Sequence, residues 1–244
     1  PYYIGMFLVG AYQEILGEIY YEFFGMGFLF RMISKKRLYD LEKIHINPIE
    51  VANNFVGLGP YKSIRPYQIY YEMNNLFEVI KNFKPKIVCE IGSDMGGTLY
   101  LWSKTIPSDG VLISIDLPRL YRKSLNRFFS FFVKETQHIE FVHQDSHSLE
   151  CLSRLKEILK GKKIDFLFID GDHAYEGVKH DFKLYSSLVK EGGLIGFHDI
   201  VKHDLPEDVC GVNKFWSEIK SSYRHKEIIE NPEQRWAGIG LLYV

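Results

Sequence analysis

Residues 86–98, KIVCEIGSDMGGT, constrain this chain more than any other stretch. Lys86 to Ile91 is β-branched, apolar and too short for a helix, so it reads as a buried strand ending in an acid, Glu90. Gly92, Gly96 and Gly97 then allow the backbone to turn tightly and approach a ligand closely, with Ser93 inside the turn. Thr98 opens a segment at helical spacing (Leu99, Leu101, Trp102). A strand, a glycine turn and a helix in this order form the unit that receives nucleotides in α/β folds, although glycine turns also follow strands for structural reasons alone.

The units that follow repeat the pattern. Val111 to Asp116 is a second short apolar strand, and Asp116 at its tip is placed to accept from the two adjacent hydroxyls of a ribose. Ile139 to His143 is a third, followed by Gln144, Asp145 and Ser146. Those side chains suit an adenine edge, and Ser146 equally suits the cap of the helix running to Lys160. Phe166 to Ile169 is a fourth strand, with Asp170, Asp172 and His173 at its tip. Gly192 to Asp199 is a fifth, ending in His198 and Asp199. Leu120 to Lys134 and a segment through Leu188 read as helices, as does Asp208 to Tyr223; His225–Ile229 and Gly238–Val244 read as closing strands. Alternating strands and helices of this kind make a doubly wound sheet.

In a parallel sheet these tips share one rim. Ionisable groups crowded there repel or desolvate one another without a counterion. The group of carboxylates and imidazoles at these tips, Asp170, Asp172, His173, His198 and Asp199, therefore suits a divalent cation, Mg²⁺ or, given the imidazole, Mn²⁺. The alternative is that Asp170 receives the organic ligand and His198 caps a strand.

Before the first strand, residues 46–85 read as a loop and a helix, Gln68 to Phe83, with Tyr61, Arg65 and Gln68 as candidate lid residues. Residues 1–45 differ in composition: Tyr, Phe and Gly crowd 20–30 and a basic run follows. A helical extension packed on its own domain is the expected role, with a membrane interface or a homodimer contact as alternatives. Residues 3–17 also resemble a short segment near the C-terminal end of biosynthetic arginine decarboxylases. The chain has neither the barrel nor the pyridoxal lysine of those enzymes, so the likeness is read as a coincidence or a gene-boundary artefact. Pro1 suggests that the numbering begins inside a longer reading frame.

A net charge of −1 disfavours a nucleic-acid binder that relies on phosphate attraction and leaves small molecules as the expected partners. The three cysteines, Cys89, Cys151 and Cys210, are odd in number and unpaired in spacing, which fits a reducing, cytoplasmic compartment. No apolar run reaches the ~18 residues of a membrane span.

Residues 86–244 resemble the class I S-adenosylmethionine-dependent methyltransferases, nearest to small-molecule O-methyltransferases of the catechol and bacterial sugar types. The resemblance is carried by Glu90-x-Gly92-x-x-x-Gly96-Gly97-Thr98, by Asp116, by Asp145-Ser146 and most specifically by Phe168 to Val178. It implies a Rossmann-like seven-stranded sheet, mostly parallel with an antiparallel last strand, preceded by the 1–45 extension. It implies S-adenosylmethionine on Glu90, Gly92, Ser93, Gly96, Gly97, Thr98, Asp116, Asp145 and Ser146. The metal-dependent branch places acids where Asp170 and Asp199 stand. His198 departs from its pattern, and His173 occupies the position of the catechol-type lysine base. The expected activity is methylation of a hydroxyl on a small molecule or saccharide, with His173 taking the proton and a divalent ion on Asp170, His198 and Asp199. A nicotinamide-dependent oxidoreductase and a non-catalytic interaction module are the alternatives.

Overall fold

The computed structural model describes residues 26–118 and 122–244. The decarboxylase-like segment and most of the aromatic N-terminal stretch lie outside them, as do Arg119 and Leu120.

Seven strands form one sheet in the order β3-β2-β1-β4-β5-β7-β6. They span Ile87–Ile91 (β1), Val111–Asp116 (β2), His138–His143 (β3), Ile164–Ile169 (β4), Val189–His198 (β5), Arg224–Ile228 (β6) and Ile239–Tyr243 (β7). β1 pairs in parallel with β2 on one side and β4 on the other, so the chain reverses its direction of winding at β1/β4. β7 inserts between β5 and β6 and runs antiparallel to both. The last strand in sequence is thus the one antiparallel member, as the resemblance implies, and it lies inside the sheet, with β6 at the edge.

Period-two alternation sorts the apolar side chains into two cores. Val88, Leu112, Phe166, Phe168 and Leu241 face one layer, while Cys89, Ile91, Ile113, Leu167 and Ile195 face the other. The first layer is covered by α1 (Met26–Ile44), α2 (Pro48–Asn54), α3 (Tyr70–Phe83), α4 (Gly97–Ser103) and α5 (Arg122–Phe129). The second is covered by α6 (Leu149–Leu159), α7 (Tyr175–Tyr185) and α8 (Val212–Ile219). Covering both faces is what buries β1 and β4 at every position.

Several local expectations shift. α3 begins at Tyr70, which frees Gln68 for the site. α5 ends at Phe129, well short of Lys134. The cap of α6 is Ser148, whose hydroxyl accepts from the Cys151 amide, so Ser146 does not cap it. α1 packs on the domain: Leu38 is fully buried in the first core, the Ser34 hydroxyl accepts from the Leu58 amide at 2.9 Å and Tyr100 donates to Glu42 at 2.9 Å. Phe28, Leu29 and Tyr39 stay exposed on its outer face. All three cysteines are free and buried. No helix among the described residues is long and apolar enough to cross a membrane.

Candidate functional site

A cavity of about 820 Å³ opens at the C-terminal ends of the parallel strands, over the β1/β4 reversal. Its wall is built from the segments that leave β1 to β5, closed by Arg65 to Gln68 ahead of α3 and by Trp236 from the β6–β7 loop.

The glycine turn forms one side. Gly92 has φ +89°, and a Cβ there would stand 2.1 Å from the Asp170 carbonyl oxygen, so the glycine is required by the close passage of the two strand exits. Gly96 has φ +79° and its absent Cβ would strike the Phe129 ring at 2.6 Å. Gly92, Ser93, Gly97 and Thr98 line the cavity, whereas Gly96 and Glu90 do not. Glu90 sits below the turn, fully buried, accepting from Trp102 Nε1 at 3.1 Å. Burial pushes its pKa up to about 8, with the Asp170 charge adding to the effect and neighbouring donors partly offsetting it.

Asp116, at the tip of β2, accepts the Asp94 amide at 2.8 Å, which fixes its carboxylate at the cavity wall. Beyond it, Asp145 accepts the His147 amide at 2.9 Å, and Asp145, Ser146 and His147 form the far wall. His147 Nε2 stands 3.5 Å from Asp181 Oδ1. Asp181 is fully buried, and burial raises its pKa to about 6.

The opposite end carries the ionisable cluster. His198 is buried at the end of β5 with Nδ1 3.2 Å from Asp170 Oδ1 and 3.5 Å from Asp199 Oδ1. Its Nε2 is buried with no hydrogen-bond partner among the described residues. Burial disfavours a charge on His198, yet the Asp170 and Asp199 carboxylates outweigh it and hold its pKa above the ordinary value. His173 Nδ1 lies 2.7 Å from Asp199 Oδ2, and its Nε2 lies 3.8 Å from Asp170 Oδ1. The Asp199 hydrogen bond, with Cys210 and Asp170 contributing, raises the pKa of His173 to about 10. Burial works to raise that of Asp199, but the His173 hydrogen bond and the imidazole charges keep it low. Asp199 has φ +63°, an αL conformation that Asp tolerates better than most residues and that turns its carboxylate back between the two histidines.

The structure therefore brings eleven expected site residues to one cavity: Gly92, Ser93, Gly97, Thr98, Asp116, Asp145, Ser146, Asp170, His173, His198 and Asp199. Of the lid residues, Arg65 lines the cavity and Gln68 Nε2 donates to Asp170 Oδ2 at 2.5 Å. Tyr61 turns away, fully buried, with its hydroxyl 2.5 Å from Ser124 Oγ.

Three features escape a reading by motif. Trp236, 57% exposed, faces the cavity from a loop. Glu72 holds that loop, accepting from Gln234 Nε2 at 2.6 Å, the Gly238 amide at 2.9 Å and the Glu230 amide at 3.3 Å. The signal for Glu72 was a carboxylate beside Met73 and Leu76 on the buried face of α3. The His147–Asp181 contact joins residues 34 apart in sequence and has no local signature.

Comparison with known proteins follows this geometry. Residues 89–200 match the sequence profile of a family described as a methyltransferase domain. An uncharacterised protein of Acanthamoeba polyphaga mimivirus is 32% identical over 139 residues, which cover 54% of this chain and 60% of that protein. A Staphylococcus aureus structure described as a candidate caffeoyl-CoA O-methyltransferase superposes with TM-score 0.59 at 17% identity, covering 86% of this chain and 99% of that one. The O-methyltransferase TomG of Streptomyces achromogenes, solved with S-adenosylmethionine, gives 0.56 at 17% identity over 71% and 79% of the two chains. A Bacillus cereus O-methyltransferase solved with S-adenosylhomocysteine gives 0.53 at 14% identity over 86% and 91%.

Proposed function

We propose that this chain, whose residues 89–200 match a methyltransferase-domain family, is a class I S-adenosylmethionine-dependent enzyme that methylates a hydroxyl group of a small-molecule or saccharide acceptor. The observation that carries the reading is the arrangement of one cavity. The glycine turn, Asp116 and the Asp145–Ser146 pair lie along one wall, and the Asp170–His173–His198–Asp199 cluster lies at the other end.

The donor set fits the cofactor. Asp116 is fixed to receive two ribose hydroxyls, Asp145 and Ser146 offer polar edges for adenine, and the turn at Gly92 and Ser93 leaves backbone close to the space between. S-adenosylmethionine, when bound, supplies an electrophilic methyl on a positive sulfur. The residues of the chain do the rest. Trp236 and Tyr67 border the mouth and offer exposed rings to cover an acceptor held beneath them. His173 takes the acceptor's proton: Nδ1 donates to Asp199 Oδ2, so the neutral imidazole keeps its lone pair on Nε2. Gln68 holds Asp170, and Asp170 and Asp199 stabilise the imidazolium that results. Most of the acceleration comes from alignment of acceptor, base and methyl rather than from any single group.

The divalent ion expected from the sequence would lie on the other side of Asp199. Asp170 Oδ1 and Asp199 Oδ1 both face His198 Nδ1, at 3.2 and 3.5 Å, whereas the ligand atoms that lie within 4.8 Å of one another among the described residues are those of His173, Asp199 and Cys210. Held by Asp170, His198 and Asp199, such an ion would supply Lewis acidity at the acceptor oxygen.

The test is a calorimetric titration of the full chain with S-adenosylhomocysteine in chelator, Mg²⁺ or Mn²⁺. Micromolar binding supports the reading, and a metal-dependent change assigns the ion to it. Absence of binding in every condition overturns it.

A further inference from the structure

Asp199 has two faces. Oδ1 looks toward His198, whereas Oδ2 meets His173, and behind His173 lies Cys210, within hydrogen-bond reach of the imidazole. Ligand atoms of His173, Asp199 and Cys210 lie within 4.8 Å of one another, a grouping of three different donor chemistries from three separate segments. We propose that these three side chains form a binding site for a thiophilic divalent ion of the zinc class, separate from the oxygen-rich side of Asp199, and that occupying it silences the base.

The chemistry selects the ion. Imidazole nitrogen, carboxylate oxygen and thiolate sulfur are a zinc donor set, and Mg²⁺ does not take thiolate. Donors at roughly 2.0–2.3 Å from a tetrahedral zinc stand about 3.3–3.8 Å apart. Atoms already within 4.8 Å therefore close by rotamer-scale movements. Binding releases the thiol proton of Cys210 and any proton on His173 to solvent, leaving a thiolate, a neutral imidazole and a carboxylate as ligands. His173 and Asp199 line the cavity while Cys210 does not, so the site borders the cavity and is reached from it.

The site is built rather than accidental in its backbone. The segment carrying Cys210 is fastened to the one carrying His173 by two hydrogen bonds, Gly211 amide to His173 carbonyl at 2.7 Å and Tyr175 amide to Glu207 carbonyl at 2.9 Å. Cys210 itself is 7% exposed, and its amide donates to the Pro206 carbonyl at 2.9 Å. Sulfur is thus presented to imidazole by a closed loop.

The consequence for catalysis rests on the reading of His173 as the base. A neutral imidazole has one lone pair, and coordination through either nitrogen consumes it. A zinc-loaded His173 has nothing left to accept the proton of an acceptor hydroxyl. Micromolar zinc is therefore an inhibitor, while Mg²⁺, which lacks affinity for sulfur, is not.

Cobalt(II) reads the site without requiring turnover, because a thiolate ligand adds a near-ultraviolet charge-transfer band to its spectrum. The chain is titrated with Co²⁺, then with Zn²⁺ against a chromophoric chelator, alongside Cys210→Ala and Cys210→Ser. The expected result is a thiolate band in the parent chain, absent from both variants, and a loss of zinc affinity of more than ~100-fold, since even a partner behind a metal ligand is worth 10–100-fold. A parent chain without the band, or variants that hold zinc as tightly as the parent, overturns the proposal. Failure of S-adenosylhomocysteine to bind would remove the methyltransferase reading and leave the cobalt result intact, so the two are distinguishable.

Discussion

Replacing Glu90 with glutamine separates a structural acid from a cofactor ligand. Glu90 is fully buried, and its carboxyl titrates near 8 instead of the ordinary 4.5. In the unfolded chain it ionises near 4.5, whereas in the folded chain it keeps its proton until about pH 8. The folded state thus binds the proton more tightly. The stability associated with it is fully present below pH 4.5 and is lost progressively as pH rises toward 8. At ~1.4 kcal/mol per pH unit, the interval from 4.5 to about 8 corresponds to about 5 kcal/mol. Glutamine keeps an acceptor for Trp102 Nε1 and never ionises. Glu90→Gln is therefore expected to gain several kcal/mol relative to the parent at pH 8 and almost nothing at pH 4.5, measured by urea unfolding across that range. A variant equally or less stable than the parent at pH 8 would refute the buried, protonated carboxyl. S-adenosylhomocysteine affinity in the same variant is expected to change by less than about threefold, because Glu90 lies below the cavity wall; a 100-fold loss would return it to direct contact with the cofactor.

His173→Ala is expected to lower turnover by ~100-fold or more, and unchanged turnover removes His173 from the mechanism. In chelator, the rate of the parent enzyme should climb with pH toward the His173 value of about 10, because only the neutral imidazole accepts a proton; a flat profile counts against the assignment. The same raised pKa means that the stability His173 draws from ionised Asp199 is present below the ordinary 6.5 and is lost as pH passes about 10, a part-exposed and therefore modest contribution to be read in Asp199→Asn melts. Asp116→Ala should weaken S-adenosylhomocysteine binding while leaving a cooperative thermal transition; unaltered affinity would dissociate Asp116 from the ribose. Glu72→Ala leaves the buried Gly238 amide without its acceptor and should cost ~1–3 kcal/mol in urea unfolding, together with a rise in acceptor KM as Trp236 loses its support. A stability change with no effect on KM would make Glu72 a structural residue only.

Local chemistry made much of this protein legible in its sequence. The run from Lys86 to Thr98 has one sensible local structure, because β-branched residues favour a strand, glycines readily take the positive φ found at Gly92 and Gly96, and helical spacing resumes at once. Repetition of that unit implies parallel strands, whose tips converge on one rim. Asp116, Asp170, His173, His198 and Asp199 could thus be assigned to a common site from their places after strands. Tertiary structure decided what no local pattern encodes. Gln68 reaches Asp170, Glu72 grips a loop more than 150 residues away in sequence, and Glu90, part of the same motif as Gly92, falls behind the cavity wall because its side chain is buried in the helical layer against Trp102. Cys210, unpaired in the sequence, comes within reach of His173 only because the fold carries its loop there. Distance along the chain says nothing about such contacts; they exist because packing two helical layers on a seven-stranded sheet leaves those side chains no other place to go.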